Sequence, residues 1–238
     1  MNVLVLQHIA CEPPGVYEDV LRDRGATIER VELDEGDALP DWQRFDAVIA
    51  MGGPMGAADD EDLPWLAGEK RLIRDAVHAG TPFWGVCLGA QLLAASLGGR
   101  VYSGPAPEVG VLPVTLTAEA RDDPVFAEAP HVLPTLQWHG DTFDLPAGAQ
   151  LLATSRAYPN QAFRWGQAAY GLQFHLEVST EMSAEWAGVP AYAQALEQVL
   201  GQRSFERLNE ELARRSGEML VHGRRLFERW LTVSGRPL

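Results

Sequence analysis

Cysteine and lysine are nearly missing from this chain. The two cysteines, Cys11 and Cys87, are too few for a disulfide framework. A reducing cytoplasm is the default compartment for such a chain, and it suits a free reactive thiol. Lys70 is the only lysine, and positive charge as a whole is scarce: 19 basic residues against 33 acidic ones give a net charge of −14. A protein that grips phosphates needs clustered Lys and Arg, so this balance argues against a nucleic-acid or membrane-surface binder. Hydrophobic runs are short, and none approaches the ~20 residues of a membrane span. The opening residues 1–7 lack a basic stretch and read as a buried strand rather than a leader. Repeats, low-complexity tracts and a clear interdomain linker are absent too. With 238 residues, 46% hydrophobic and 22% charged, the composition is that of an ordinary globular chain. A single domain over residues 1–238 is the simplest expectation.

What is present is an alternation of short apolar runs and helical patterns. Val3–Leu6 reads as a strand buried on both faces. A break at Pro13-Pro14-Gly15 leads to a helix over Val16–Arg24, closed by Gly25. Ala26–Leu33 and Phe45–Met51 read as the second and third strands, Leu63–Ala79 as a helix with Gly80 past its end, and Phe83–Val86 as the fourth strand. This is the signature of an α/β domain with a mainly parallel sheet. Beyond Leu97 the pattern changes. Val101-Tyr102, Val109–Leu116, Val132–Trp138, Leu151–Thr154, Gln161–Trp165 and Ala168–Phe174 predict added antiparallel strands. From Ser179 onward the chain reads as helical, with Phe205, Leu208, Leu212, Met219, Phe227 and Leu231 at helix-compatible spacing, a face that packs on the domain in preference to serving as a partner-binding arm.

The chemistry centres on Gly85-Val86-Cys87-Leu88-Gly89-Ala90-Gln91. An apolar strand ends in a cysteine, a glycine follows, and a helix-like segment begins. That geometry lifts the side chain above the sheet edge and sets it at a helix N-terminus, where the dipole and free amides favour a thiolate. Serine occupies the same position in the nucleophile elbow of α/β-hydrolases. A cysteine nucleophile needs a base and a group to orient that base. Of six histidines, His175 stands out, because it ends a strand-like run and Glu177 follows two residues on. Residues i and i+2 of a strand share a face, so the pair can form a dyad. A third element is Gly52-Gly53-Pro54-Met55-Gly56 after the third strand, a loop whose amides can turn inward and hold an oxyanion with the amide that follows the nucleophile. It contains no dinucleotide-binding fingerprint.

Taken together, Gly85–Gln91, Gly52-Gly53-Pro54 and Gln173–Val178 resemble the three signature blocks of the class I, or triad, glutamine amidotransferases, in that family's order. Trp138-His139-Gly140-Asp141 resembles the family's Ser-His-Gly-Asp block, and Pro107–Gly110 matches as well. The resemblance covers roughly residues 45–180 and is nearest to stand-alone domains similar to the glutaminase part of GMP synthase. It implies a three-layer, flavodoxin-like α/β fold with a catalytic core over about 1–180 and C-terminal helices over about 180–238. It implies Cys87, His175 and Glu177 as catalytic residues and the amides of Gly53 and Leu88 as the oxyanion hole. Gln91, Trp138, His139, Gly140 and Asp141 would hold the donor. Neither metal nor cofactor is implied. The substrate would be glutamine or another γ-glutamyl small molecule.

Two positions depart from the family pattern. Leu176 stands where proline usually separates the histidine and glutamate, and Trp138 stands where the family has serine. Each residue also has a plainer explanation: Gln91 as a helix-surface amide, Gly140-Asp141 as a turn, Cys11 as a passive loop residue. Three functions stay open. One is a glutaminase feeding ammonia to a separate synthetase. Another is a stand-alone γ-glutamyl hydrolase or transferase. The last is a degenerate domain that binds a ligand or regulates a partner. The distantly related cysteine-elbow peptidases and deglycases are disfavoured by Gln91 and the Gly-Gly-Pro loop.

Overall fold

The computed structural model describes residues 1–234. Its elements run β1 (Asn2–Gln7), α1 (Val16–Asp23), β2 (Thr27–Glu32), β3 (Ala47–Ala50), α2 (Trp65–His78), β4 (Phe83–Val86), α3 (Leu88–Ser96), β5 (Val101–Leu116), β6 (Val132–Phe143), β7 (Gln150–Thr154), β8 (Ala162–Trp165) and β9 (Ala169–Leu172). Three helices follow: α4 (Thr180–Trp186), α5 (Pro190–Leu200) and α6 (Ser204–Val233). The end of the helical segment expected to reach 238 lies outside the described residues.

Nine strands form one sheet in the order β2-β1-β3-β4-β9-β8-β7-β5-β6. The first five are mutually parallel and the remainder pair antiparallel. The apolar runs explain the parallel half. β3 and β4 are buried at every position, because helices cover both faces. Alternate residues of β1 serve the two sides: Val3 and Val5 join one core, Leu4 and Leu6 the other. β2 lies at the edge, and its charged Glu29 and Arg30 blunt that edge against further pairing.

The two cores make three layers. On one face α1 and α6 cover an aromatic cluster of Tyr17, Trp84, Phe227 and Trp230, with ring centroids 4.8–5.7 Å apart. On the other, α2 and α3 cover Leu72, Ile73, Leu92 and Leu93 against Phe83. The predicted apolar face of α6 is buried at Leu208, Leu212, Met219, Phe227 and Leu231, while Phe205 is half-buried.

The structure corrects the sequence reading at three places. Val101-Tyr102 and Val109–Leu116 are parts of one 16-residue strand, with an irregularity in register between Ser103 and Glu108. Gly140-Asp141 makes no turn; both lie inside β6, with Asp141 opposite Ser103 of β5 and Gly140 at the register irregularity, because cross-strand pairing overrides the local turn preference. The strand-like run to His175 stops at Leu172, and His175 instead forms an isolated antiparallel bridge with Leu136.

Two glycines grip the segment after that bridge. Gly15, at φ 54°, opens α1 so close to the Glu177 carbonyl oxygen that a Cβ there would overlap it. Gly223 of α6 presses from another side, and a Cβ there would lie 2.7 Å from the Leu176 carbonyl oxygen. Leu176 itself is fully buried. The backbone that a proline would stiffen from within is here confined from outside.

Candidate active site

Cys87 sits between β4 and α3 with φ 52° and ψ −106°, one of two non-glycine residues with positive φ among those described. A cysteine in this sparsely populated region carries backbone strain, and strain of that kind gathers at functional sites. The turn is held by Cys87 N–H donating to the Leu172 carbonyl at 2.7 Å and Gly89 N–H donating to the Met51 carbonyl at 3.0 Å. The ends of β3, β4 and β9 therefore fix the nucleophile position together. The Leu88 and Gly53 amides find no protein acceptor among the described residues. Two unpaired donors thus flank the cysteine.

The His175 Nδ1 donates to Glu177 Oε1 at 2.6 Å, and the Leu176 amide donates to Glu177 Oε2 at 2.9 Å. Both side chains are buried. Burial alone would drive the proton off His175. The Glu177 charge, with hydrogen bonds to Cys87 and Glu177, outweighs it and holds the imidazole pKa well above its ordinary value. An imidazolium beside a thiol is the charge that stabilises a thiolate. The face-sharing expected of the pair is realised, although in a loop rather than a strand.

This raised value fixes a pH dependence for stability. His175 titrates near 6.5 when unfolded and higher when folded, so its pairing contributes in full below about pH 6.5 and is lost as pH rises through the folded value. Breaking a buried pair from one side costs about 3–5 kcal/mol. Glu177→Gln should therefore lower Tm most in mildly acidic buffer, with the gap to wild type narrowing in alkali. A gap that is flat across pH in thermal melts would show that the pair stays neutral.

Around the dyad lies an aromatic roof. Trp186 of α4 packs edge-on to His175 with centroids 4.7 Å apart, and its indole N–H donates to the Cys11 carbonyl at 2.8 Å. Trp138 packs on Trp186 and Tyr192, and its indole N–H donates to the Tyr192 carbonyl at 3.2 Å. The Tyr192 hydroxyl pairs with the buried carboxyl of Glu12. Burial lifts the Glu12 carboxyl above its usual range. Cys11 is half-buried and packs against this core, and burial with the Glu12 charge pushes its thiol up to about 11.

A pocket of about 210 Å³ opens beside Cys87, lined by Gly53, Gln91, Trp138, Asp141 and Tyr192, with His139 and Gly140 in the same wall. All five residues expected to hold the donor thus face one cavity, in different ways. Gln91 is buried and donates to Gln173 at 3.1 Å; Gln173 in turn donates to Cys87 Sγ at 3.7 Å. His139 has both ring nitrogens engaged, with the Asp141 carbonyl at 2.8 Å and Glu108 at 3.2 Å, so it braces the wall. Asp141 accepts from Ser103 at 2.9 Å and is partly open to the cavity. Sequence reasoning missed Glu12, Gln173, Trp186 and Tyr192. Only Gln173 carried a signal, as a member of the block containing His175. Among the described residues no group of three or more His, Cys, Asp or Glu is placed to hold a metal ion, and no helix is long and apolar enough to cross a membrane.

Comparison with known proteins places this geometry. A family model for class-I glutamine amidotransferases matches residues 16–185. A glutamine amidotransferase-like protein of Salmonella typhimurium, YfeJ, is 35% identical over 185 residues, covering 76% of this chain and 77% of that protein. The GMP synthase of Phenylobacterium zucineum is 34% identical over 161 residues, and the match spans only 30% of that longer protein. Among solved structures, a glutamine amidotransferase from Thermotoga maritima superposes with a TM-score of 0.87 at 35% identity, covering 97% of this chain and 98% of the other. One from Methylobacillus flagellatus gives 0.88 at 29% identity, covering 100% and 96%. The chain belongs to the class-I glutamine amidotransferases. Within that family it is an enzyme of the cysteine-hydrolase type.

Proposed function

We propose that this protein hydrolyses the side-chain amide of glutamine and hands the ammonia to a separate synthetase. The Cys87 thiolate adds to the amide carbon. The oxygen gains negative charge and is met by the Gly53 and Leu88 amides. His175, oriented by Glu177, gives its proton to the leaving nitrogen, the C–N bond breaks, and ammonia departs from a γ-glutamyl thioester. His175 then takes a proton from water, whose oxygen displaces Cys87 and leaves glutamate. Gln91 and residues 138–141 hold the amino-acid end of the donor. The observation that carries this reading is the strained Cys87 lying between two amides without acceptors and a buried histidine–carboxylate dyad.

We also read residues 1–238 as one domain working in a reducing cytoplasm, since the chemistry needs a free thiol. The match to only a minor part of GMP synthase supports a partner that supplies the acceptor site. The test is to incubate the protein with glutamine and with γ-glutamyl peptides and to measure ammonia and glutamate. Glutamine hydrolysis that rises when a cell extract supplies the partner is expected. Turnover of peptides with none of glutamine would replace this reading with a stand-alone γ-glutamyl hydrolase. Release of neither product under any condition would leave a ligand-binding domain.

A further inference from the structure

A second buried histidine–carboxylate pair lies behind the Gly52–Gly53 loop, and the mechanism above makes no use of it. His8, just past β1, is fully buried. Its Nε2 lies 2.9 and 3.1 Å from the two oxygens of Glu69, a fully buried residue of α2. Its Nδ1 lies 3.1 Å from the Gly52 carbonyl oxygen. Trp65 stacks on the ring with centroids 5.7 Å apart, closing the cage. A carbonyl oxygen only accepts, and so does an ionised carboxylate. With acceptors on both sides, the ring facing an ionised Glu69 carries two N–H groups and a positive charge. Burial opposes that charge, but Glu69 and the Gly52 carbonyl more than offset it, and the His8 pKa is raised.

The carbonyl that His8 holds shares a peptide plane with the Gly53 amide. In a trans peptide the C=O and N–H point in opposite directions. Fixing the oxygen on His8 therefore fixes the hydrogen on the opposite side, and Gly53 lines the pocket that holds Cys87. The loop cannot easily turn by other means: Gly53 lies so close to His8 that a Cβ on it would be 2.8 Å from the His8 Cβ and 3.2 Å from Leu88 Cδ2. The charge also has the right sign. A cation at the carbonyl end draws electron density away from the N–H and strengthens it as a donor to a forming oxyanion.

We propose that His8 and Glu69 are positioning residues that clamp the Gly52–Gly53 peptide in its oxyanion-binding orientation and polarise it. This rests on the reading that Cys87 attacks a γ-carboxamide. It makes the first β-strand and α2 part of the catalytic apparatus, although neither carries a residue that touches the reacting atoms.

The test separates attack that builds an oxyanion from attack that does not. Hydrolysis of γ-glutamyl p-nitroanilide and of glutamine passes through the oxyanion; alkylation of Cys87 by iodoacetamide bypasses it. Loss of an oxyanion-hole donor costs about 10²–10³ in kcat. Glu69→Gln and His8→Ala should lower kcat roughly 10- to 100-fold with KM within about twofold and alkylation within about twofold. His8→Asn, which keeps a neutral donor near Nδ1, should recover part of the loss seen with His8→Ala. Variants that hold wild-type kcat overturn the clamp. So do variants whose alkylation rate falls in step with kcat, since that is general damage. A wild type that is alkylated but hydrolyses neither donor overturns the hydrolase reading itself, a result distinct from either.

Discussion

Cys87→Ala is expected to abolish turnover, with a loss in kcat of about 10⁶ as for other nucleophile deletions, and to remove the covalent γ-glutamyl adduct seen by intact mass. The fold should survive the change. The side chain is small, its turn is held by backbone bonds to Leu172 and from Gly89 to Met51, and alanine meets the same positive φ that cysteine already tolerates. The comparison also isolates the one competing thiol. Cys11 is pushed up to about 11 by burial and the Glu12 charge, so it presents little thiolate at neutral pH. An adduct of equal size and rate on Cys87→Ala would move the nucleophile to Cys11 and remove Cys87 from the chemistry. Equal melting curves for the two proteins complete the argument, since they separate lost reactivity from lost structure.

Gly89→Ala is the substitution expected to do most harm without touching a reacting group. A Cβ on Gly89 would overlap the Ala50 carbonyl oxygen and lie 2.6 Å from the carbonyl carbon. Both atoms belong to the backbone of β3, an interior strand of the sheet, so no side chain can swing aside. Either α3 lifts from the sheet or β3 bends. Overpacking of this kind typically costs about 1–3 kcal/mol, occasionally more. The lift also carries Cys87 and the Leu88 amide away from Gly53, and misplacement by about 1 Å costs on the order of 10²-fold in rate. Gly217→Ala on α6 is the control: nothing lies within 4 Å of that Cβ, and alanine should raise Tm slightly by improving helix propensity. Wild-type Tm and kcat in Gly89→Ala would mean that the elbow tolerates a looser seat than the contacts indicate.

The elbow itself was legible in the sequence because its signals are local: an apolar run into Cys87, then Gly89, then a helical pattern. The same holds for β1, β3 and the Gly-Gly-Pro loop. What the sequence does not display are pairs joined only by topology. His8 and Glu69 are 61 residues apart, and Glu12 and Tyr192 are 180 apart. Each reads alone as an unremarkable polar residue, and only the return of α2 and α5 to one end of the sheet brings them together. Gly140-Asp141 erred in the opposite direction. Its local preference is a turn, yet Asp141 pairs across the sheet with Ser103, and that longer-range pairing wins. Trp138 stands where the family pattern has serine. It does line the cavity, but its indole is also bonded to the backbone of α5, so the change is absorbed jointly by strand and helix.

The grip of Gly15 and Gly223 on the segment between His175 and Glu177 has a consequence for the order in which the protein becomes competent. The ribosome makes a chain from its N-terminus, and domains fold as their parts emerge. Gly15 is made well before Gly223, which lies about two thirds of the way along the 30-residue α6. A nascent chain can therefore hold its nucleophile, its oxyanion loop and even its histidine while the jaw that immobilises the base is still unsynthesised. Chains cut short before α6 keep Cys87, His175 and Glu177 but lack one of the two glycines that confine the backbone between the base and its carboxylate, and their imidazole is held less firmly.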